Sequence, residues 1–417
     1  MIRWVRDWLG TASYNDLNRG DWLIVDVRHH VDKAGNPSGA LRQSIDTALA
    51  GHREGQRIVV ACDFGISRSN AIAAGVLSRV EGCSFDDALS QVIVATGETQ
   101  IKLEMIASVR AALGEAACVR PKNAILVTGG GGFIGRRLVA SLSRTQAMLA
   151  PPRAELDLLR GGVALAQYCE RRNIGQIVHL AYPRQYTNAA AVGESLTMLK
   201  GVLDVGKLLE LRLIVLSSWV VFSGYATAML LADESLPPRS KGTYGDAKLL
   251  EETLLNAYLR RGEVRAVLCR FAPIYGPEGE RPRLIRTFAA AISAGRKVVT
   301  HRYRNGAPAL DLLHVEDAVS ALVAILHSDK SGIFHFGTGR LTETQMIARH
   351  LSGLLGARLE HEEMAIEDET SNIAMDASKA LQQLGWQAKI GVEDGLADIV
   401  RSGGSGPAEP AAIVSRP

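Results

Sequence analysis

The chain has few cysteines, little net charge and no long apolar run, and each shortage excludes a class of protein. Its 417 residues include five scattered cysteines without a Cys-x-x-Cys pair. This argues against a small disulfide-stapled fold and favours free thiols in a reducing compartment, so we expect a cytoplasmic protein. The formal net charge of +3 gives no basis for a nucleic-acid partner. The length predicts two or three globular domains.

A membrane span is also not expected. The longest uncharged run, Leu213–Ala232, is long enough to cross a bilayer. It contains serines, a glycine, a tyrosine and a threonine, and we interpret it as a buried strand that continues into a loop. The N-terminus carries charge almost at once and lacks the apolar core of a signal peptide.

The hydrophobic pattern divides the chain into a first domain at 1–118, a linker at 119–123, a second domain at 124–400 and a disordered tail at 401–417. The first domain is predicted to hold strands Trp22–Val27 and Arg57–Ala61, with helices around them, and Ser84 reads as a helix N-cap. In the second, helices alternate with strands, which implies a parallel sheet. These strands are Ala124–Thr128, Gln176–Ala181, Arg212–Ser218 and Arg265–Phe271.

A glycine-rich turn follows the first strand of the second domain. The segment Ile125–Gly135 reads as an apolar strand, a turn containing Gly129 and Gly132, and a helix that opens at Gly135. Glycines allow a tight turn and close backbone approach to a bulky anion. The free N–H groups of the following helix suit a pyrophosphate, so the turn is a candidate dinucleotide site. The alternative is an ordinary strand–turn–helix joint.

The first domain contains a Cys-x5-Arg-Ser segment between a strand and a helix, at Cys62, Arg68 and Ser69. Five intervening residues can wrap into a nest of N–H groups, and Arg68 can grip two phosphate oxygens. The same field favours the Cys62 thiolate, a candidate nucleophile, with Ser69 as a hydrogen-bond donor to sulfur. Asp32 is the candidate acid for the leaving oxygen, and Asp26 is the alternative. A small buried cysteine at a strand end is the structural alternative.

This loop, together with residues 70–77 and 82–92, resembles the dual-specificity branch of the cysteine phosphatases over about residues 20–113. The resemblance implies a phosphorylated substrate for an N-terminal α/β domain of cysteine-phosphatase type. One departure is Ala61, where the family usually has a histidine that helps set the thiolate pKa. The segment Leu23–Arg28 also resembles the rhodanese fold. Rhodanese loops normally reach their arginine in fewer residues, so the phosphatase resemblance is preferred.

A Tyr-x3-Lys pair lies in a helical segment of the second domain. At i,i+4 spacing, Tyr244 and Lys248 share one helix face. A phenol has a pKa of about 10, and a nearby ammonium and the cofactor's positive ring would stabilise its phenolate. Lys248 can also hold ribose hydroxyls, and Ser217-Ser218 at a strand end supplies a hydroxyl donor. An exposed helical pair is the alternative.

The order of these pieces resembles the extended short-chain dehydrogenase/reductases, and within them the nucleotide-sugar epimerase, dehydratase and reductase group. The resemblance covers about residues 123–400 and implies a Rossmann-type doubly wound parallel sheet with a small C-terminal substrate lobe. It implies hydride transfer at a sugar carbon, with Tyr244 as acid/base and Ser218 as its partner, and a homodimer by analogy. The implied cofactor-binding residues are Gly129, Gly132, Phe133, Ile134, Gly135, Leu180, Ala181 and Lys248.

Subtype and cofactor follow from smaller features of the same resemblance. Trp219-Val220 stand where dehydratases carry acidic residues, which disfavours a dehydratase. The segment Arg153–Asp157 matches a pattern common in reductases of 4-keto-6-deoxy sugars. No acidic residue ends the second strand, and Arg153 could meet a 2′-phosphate, so NADP is favoured over NAD. Leu310 and Ser195 replace an arginine and an asparagine of the family pattern.

Two functional hypotheses follow. The first is an NAD(P)-dependent reductase or epimerase of a nucleotide-linked sugar, fused to a phosphatase-like module. The second is a regulatory protein in which the Rossmann domain senses the cofactor and phosphatase activity is the output. The N-terminal module could also capture a phosphate group without chemistry.

Overall fold

The structure, a computed structural model, describes residues 1–18, 20–115, 122–183, 188–279 and 282–403. The predicted tail lies outside these ranges from residue 404 onward, as does most of the predicted linker. The chain divides into two compact units. The first comprises Met1–Asn123, Arg153–Gly175 and Lys200–Leu211, and the second comprises Ala124–Pro152, Gln176–Leu199 and Arg212–Pro417.

The first unit contains a four-stranded sheet built around a buried apolar strand. In chain order the strands are β1 (Arg3–Trp4), β2 (Leu9–Ser13), β3 (Leu23–Asp26) and β4 (Ile58–Cys62). Their spatial order is β1-β2-β4-β3, with β4 parallel to both neighbours and β1 antiparallel at the edge. The sequence did not predict β2, because Leu-Gly-Thr-Ala-Ser has little β-branched character and its pairing with β4 makes it a strand.

Helices of this sheet are α1 (Ser38–Arg53), α2 (Arg68–Glu81), α3 (Phe85–Thr96) and α4 (Leu103–Ala112). Helix α2 is buried from Ser69 to Ser78, which explains its small residues. It ends where Gly82 adopts a φ of +65°. The predicted N-cap at Ser84 is confirmed, since its hydroxyl accepts a hydrogen bond from the Asp87 N–H at 3.1 Å.

From residue 124 onward, strands and helices alternate. The first part contains β5 (Ala124–Thr128), α5 (Gly135–Leu142), β6 (Met148–Leu149), α6 (Gly162–Arg171), β7 (Ile174–His179), α7 (Ala189–Leu208), β8 (Arg212–Ser218), β9 (Thr227–Ala232), α8 (Gly242–Arg260) and β10 (Arg265–Phe271). The second part contains β11 (Ile274–Tyr275), α9 (Arg283–Ser293), β12 (Val298–Tyr303), β13 (Ala309–Leu310), β14 (Leu313–His314), α10 (Val315–Leu326), β15 (Gly332–Phe336), β16 (Thr342–Glu343), α11 (Thr344–Leu355), β17 (His361–Ile366), β18 (Ser371–Met375), α12 (Ser378–Leu384) and α13 (Val392–Arg401).

A six-stranded sheet of order β15-β10-β8-β7-β5-β6 forms the centre of the second unit. The pairs β15–β10, β10–β8, β8–β7 and β5–β6 are parallel. The chain enters at β5, goes to β6 on one side and then to β7 on the other. This order confirms the predicted Rossmann-type sheet. The reversal between β5 and β7 creates a crevice at the strands' carboxyl ends, where ligands bind in open α/β sheets.

The strands of this sheet are apolar on both faces, as expected for buried parallel strands. Ile125, Val127, Val178, Ile214 and Val267 belong to one buried cluster. A second cluster in the C-terminal part joins α9, α11 and α13 through Ile285, Phe288, Ile347, Leu351 and Leu396.

The second unit also contains the two-stranded sheets β11–β14, β12–β17, β13–β16 and β9–β18. The predicted loop in the second half of Leu213–Ala232 is therefore wrong, because Thr227–Ala232 is strand β9. It pairs in parallel with β18, far along the chain, so local sequence could not reveal it. Across the described ranges, no helix is long and apolar enough to cross a membrane.

Candidate functional site

The glycine-rich turn follows β5, at the point of the sheet where the strand order reverses between β5 and β7. Gly129 has a φ of +71°, and a Cβ atom there would lie 2.7 Å from the Ala181 nitrogen. A Cβ atom at Gly135 would lie 2.5 Å from the Gly129 carbonyl oxygen. Both positions therefore require glycine. Space beside Gly131 is open, and no side chain caps the first turn of α5, so the positive N-terminal end of this helix is left for an anion.

The other predicted residues of the turn act through backbone and packing. The Gly132 N–H donates to the Gly129 carbonyl at 2.9 Å, which closes the turn. The Phe133 ring lies under the Arg137 guanidinium, 4.8 Å from its carbon to the ring centroid. Ile134 packs on the buried cluster of the sheet. The geometry thus fits a dinucleotide pyrophosphate held by main-chain N–H groups.

The end of β7 is joined to this turn. The Leu180 N–H donates to the Thr128 carbonyl at 3.1 Å, and the Ala181 N–H lies 3.4 Å from the Thr128 hydroxyl. That hydroxyl is also 2.8 Å from His179 Nδ1. Burial, with the Lys248 charge, lowers the pKa of His179 to about 3, so the imidazole is neutral. The predicted residues 129–135 and 180–181 are thus brought together at the sheet's carboxyl edge.

Lys248 is the centre of the second group of predicted residues. Its ammonium donates to the Leu216 carbonyl at 3.3 Å and to Glu251 Oε2 at 2.8 Å. It also lies 4.2 Å from the centroid of the Tyr182 ring, and that ring meets Tyr244 edge-on at 5.5 Å. The end of β8, the segment after β7 and helix α8 therefore converge on this lysine.

The two adjacent serines at the end of β8 have different surroundings. Ser217 is buried, and its hydroxyl donates to Glu252 Oε1 at 2.6 Å. Ser218 is half-buried and precedes a 3₁₀ helix over Trp219–Phe222 without capping it. Because neighbouring strand residues point to opposite faces, Ser217 and Ser218 face different sides of the sheet, and the role of Ser218 toward a ligand stays a prediction.

A buried ion pair joins α8 to the central sheet. Arg270 donates to both oxygens of Glu252, at 2.9 and 2.6 Å, and both side chains are almost fully buried. Arg270 also approaches His335 at 3.2 Å, and burial lowers the pKa of that histidine to about 4. This network ties α8 to β10 and β15, and the sequence reasoning missed it.

Arg153 and Asp157 both lie in the first unit. The Asp157 carboxylate accepts from the Leu159 N–H at 3.1 Å and caps a 3₁₀ helix. Arg153 is an exposed side chain whose Nε lies 3.3 Å from that carboxylate. The 2′-phosphate role of Arg153 stays a prediction.

Departures from the family pattern are placed as follows. Leu310 pairs with Thr342 between β13 and β16. Ser195 is buried in α7 and donates to the Val192 carbonyl at 3.0 Å. Trp219 packs against the main buried cluster.

The loop between β4 and α2 surrounds the Cys62 sulfur with donors. The Gly65 N–H donates to Sγ at 3.2 Å, and the Ser69 hydroxyl is 3.4 Å away. Burial opposes ionisation, but these bonds and the N–H groups of Phe64 and Ser69 outweigh it and lower the pKa of the Cys62 thiol. Asn70 fixes the loop by donating to the Gly65 and Ile66 carbonyls at 2.9 and 2.7 Å.

Arg68 and the candidate acids flank this loop. The Arg68 guanidinium donates to the carbonyls of Arg28 and His30 at 2.9 and 3.0 Å and pairs with Asp63. Asp32 accepts from the Ser67 hydroxyl at 2.5 Å, which places this carboxylate on the loop.

Two further predicted features of this domain are the alternative acid, Asp26, and the residue before the cysteine, Ala61. Asp26 is held by Arg28, with the side-chain nitrogen and oxygen 2.7 Å apart. Ala61, which precedes the cysteine, is fully buried in β4. Of the two candidate acids, Asp32 is the one bonded to the loop.

Comparison with known proteins identifies the family of the larger part of the chain. Residues 125–337 match the NAD dependent epimerase/dehydratase family. The chain belongs to that family. It is thus an enzyme of a family whose cofactor is NAD, which agrees with the expected NADP or NAD. The match begins at residue 125, so it does not bear on the phosphatase resemblance before it.

Individual relatives support the same placement. UDP-glucuronic acid decarboxylase 6 of Arabidopsis thaliana is 24% identical over 303 residues, covering 65% of this chain and 86% of the relative. dTDP-L-rhamnose 4-epimerase of Burkholderia thailandensis is 27% identical over 167 residues, but the match spans 39% of this chain and 46% of the relative. The fold matches UDP-glucose 4-epimerase of Thermus thermophilus, solved with NAD, at a TM-score of 0.59. That match has 20% identity and covers 67% of this chain and 98% of the other.

Sequence reasoning missed Tyr182 and Glu251. Tyr182 directly follows the predicted residues Leu180 and Ala181, and an aromatic residue there was a usable signal. Glu251 follows Lys248 at i+3, a spacing that also occurs on exposed helix faces. Its burial could be known only from the structure. Among the described residues, no cluster of His, Cys, Asp or Glu could hold a metal ion.

Proposed function

We propose that the second unit catalyses hydride transfer at a carbon of a nucleotide-linked sugar, as a reductase or an epimerase. The observation that carries this proposal is the meeting of β7, β8 and α8 at Lys248, beside Tyr244. The glycine turn supports it, because the turn lies at the carboxyl edge of the same sheet. Relatives named as a UDP-glucuronic acid decarboxylase and a dTDP-L-rhamnose 4-epimerase point to nucleotide sugars as the substrate class.

Each residue would then have a defined task. The dinucleotide accepts or returns a hydride when bound, and N–H groups of the turn at residues 129–135, other than the Gly132 N–H that closes it, would hold its pyrophosphate. Tyr244 would exchange a proton with the sugar oxygen, and the Ser218 hydroxyl would donate a hydrogen bond to that oxygen. The Lys248 ammonium favours the phenolate by its charge. We retain the prediction against a dehydratase, because Trp219 and Val220 supply no acid at that position.

The test is the loss of the Tyr244 hydroxyl. Tyr244→Phe should abolish turnover on a panel of UDP- and dTDP-linked sugars while keeping dinucleotide binding, read by nicotinamide fluorescence. Tyr225→Phe is the matched control, because the Tyr225 hydroxyl donates to the Pro237 carbonyl instead. Net consumption of NADH or NADPH would indicate a reductase, and inversion of a sugar carbon without net consumption an epimerase. Unchanged turnover in Tyr244→Phe would overturn the proposal.

A second candidate function is cysteine-dependent cleavage of a phosphate ester in the first unit. The observation that favours it is the set of N–H and hydroxyl donors aimed at the Cys62 sulfur. The thiolate would form a bond to phosphorus as the phosphorus–oxygen bond to the leaving group breaks. Asp32 would give its proton to that oxygen, and Arg68 would bind the phosphoryl oxygens. Water would then cleave the phosphocysteine.

Release of phosphate from an aryl phosphate tests this candidate. Cys62→Ser should abolish release, whereas Cys83→Ser, which changes another free cysteine, should leave it intact. Phosphate binding without release would mean capture only. If release changes when NADH or NADPH is added, the first unit reports cofactor binding, as the regulatory hypothesis expects.

A further inference from the structure

The Cys62 loop has an outer set of hydrogen bonds that the proposed cleavage does not use. A peptide unit is planar and trans, so its carbonyl group and its N–H group point in opposite directions. In a loop whose N–H groups converge on one atom, the carbonyl groups must therefore point outward. Donors on the outer side of the loop can hold them there, and such donors determine whether the N–H groups converge.

Ser13 provides the first of these donors, and it lies opposite Cys62 in the sheet. Strands β2 and β4 are parallel, with Ser13 in register with Cys62. The Ser13 hydroxyl donates to the Asp63 carbonyl at 2.7 Å. The Phe64 N–H belongs to the same peptide unit as that carbonyl, so it is turned the other way. It is one of the N–H groups that lower the pKa of the Cys62 thiol against the opposing effect of burial.

Asn70 holds the middle of the loop with two bonds. Its side-chain Nδ2 donates to the Gly65 carbonyl at 2.9 Å and to the Ile66 carbonyl at 2.7 Å. Asn70 is fully buried, so water does not compete for these carbonyls. Gly65 is therefore held on both sides, since its N–H donates to the Cys62 sulfur at 3.2 Å while its carbonyl accepts from Asn70.

The Thr11 hydroxyl sets the direction in which the Asn70 amide faces. Thr11 is fully buried in β2, and its hydroxyl donates to Asn70 Oδ1 at 3.2 Å. An amide oxygen can only accept, so this bond directs the NH₂ end of the amide toward the loop carbonyls. Thr11 and Ser13 are two residues apart on one strand and share a face of it. Strand β2 thus supports the loop from two positions.

We propose that Ser13 and Asn70 are positioning residues that hold the carbonyl groups of the Cys62 loop outward, so that its N–H groups converge on the sulfur. Thr11 acts through Asn70. This inference rests on the second candidate function, cleavage of a phosphate ester, and adds the residues that shape its nucleophile. It also explains how the loop favours a thiolate with Ala61 in the place of the family histidine. None of the positioning residues is assigned a contact with substrate.

Charged groups do not replace these bonds, because the acidic and basic side chains that bond to the loop or to its neighbours are held by partners. They are the pairs Arg68–Asp63, Arg28–Asp26 and Arg3–Glu98, and Asp32 with the Ser67 hydroxyl. Burial lowers the pKa of His30 to about 4, so its imidazole is neutral at pH 7. Arg3 also lies 3.4 Å from the Gly65 carbonyl, farther than the Asn70 amide. The direction of the N–H groups therefore matters more here than a nearby charge.

The test is a titration of the Cys62 thiol, which needs no substrate. Thiolate absorbance of the full chain is recorded against pH, and the signal of a matching Cys62→Ser protein is subtracted. Asn70→Ala should raise the midpoint by about one pH unit, because Gly65 is then free to turn its N–H away from the sulfur. Asn305→Ala is the matched control and should leave the midpoint unchanged, since the Asn305 amide holds the backbone of Thr370 in the second unit.

Two milder variants keep the test decisive if Asn70→Ala fails to fold. Thr11→Val keeps the shape of the side chain but removes the hydroxyl that orients the Asn70 amide, and Ser13→Ala releases the Asp63 carbonyl. Each should raise the midpoint by less than Asn70→Ala does. An unchanged midpoint in all the variants that fold would overturn the inference. If the midpoint rises as expected but the wild type releases no phosphate from an aryl phosphate, the proposed cleavage fails and the inference stands.

Discussion

The Cys62 loop and the Lys248 centre are built in opposite ways. Around Cys62, the donors come from consecutive residues of one loop and from the start of one helix. Around Lys248, the contacts come from β8, from the segment after β7 and from α8, which are far apart in sequence. The first site is thus encoded locally, whereas the second exists only when the sheet has assembled.

The two sites also treat charge differently. The Cys62 thiolate is favoured by hydrogen bonds from neutral groups, which need no counter-charge nearby. The Lys248 centre instead buries an ion pair beside a second pair, Glu252–Arg270. Removing one hydrogen-bond donor from the Cys62 loop should therefore reduce the function of that loop. Breaking a buried ion pair at the Lys248 centre should reduce the stability of the fold as well.

The largest effect is expected on the stability of the chain, when the buried Glu252–Arg270 pair is broken. Glu252→Ala would leave the Arg270 guanidinium buried without a carboxylate and the Ser217 hydroxyl without its acceptor. We expect the free energy of unfolding of the full chain to fall by about 3–5 kcal/mol, measured by urea denaturation. The exposed pair Lys297–Glu362 is the control, and Glu362→Ala should cost less than about 1 kcal/mol. Equal losses would remove the distinction between the two pairs.

The next effect separates the two serines of β8. Ser218→Ala should lower turnover roughly 10²-fold with little change in stability, because it removes a hydrogen bond to the reacting oxygen. Ser217→Ala should lower stability by about 1–3 kcal/mol, because Glu252 loses a buried donor. Steady-state kinetics and thermal unfolding of both variants measure this. The reverse outcome would show that the face assignment of the strand is wrong.

The same contrast explains how much the sequence could predict. The glycine turn, the Cys62 loop and the parallel sheet follow from contiguous patterns, and the structure brings the predicted loop residues together. Strands β2 and β9 were missed because their identity depends on partners elsewhere in the chain. Glu251 was missed for a related reason, since an acidic residue three positions after a lysine is equally typical of a solvated helix face.

A smaller effect concerns the Cys62 thiol. Its lowered pKa predicts that the thiolate forms at lower pH than in an ordinary cysteine. Ser69→Ala removes one donor and should raise the midpoint by about one pH unit. Ultraviolet thiolate absorbance, with the signal of Cys62→Ser subtracted, measures it, and Ser90→Ala is a control on another helix. A midpoint that does not move would mean that backbone N–H groups alone stabilise the thiolate.

The smallest effect is expected on cofactor affinity when Arg153 is replaced. This residue belongs neither to the ring of donors around Cys62 nor to a buried ion pair. Its side chain is 72% exposed and pairs with Asp157, so water and salt screen its charge. If it meets a 2′-phosphate, Arg153→Ala should weaken NADPH binding roughly tenfold or less and leave NADH unchanged. Arg160→Ala, an exposed arginine of the same segment, is the control for fluorescence titration of both cofactors. If Arg153→Ala and the wild type bind NADPH equally well, Arg153 makes no contact with the 2′-phosphate. The choice of cofactor would then depend on the glycine turn and its surroundings.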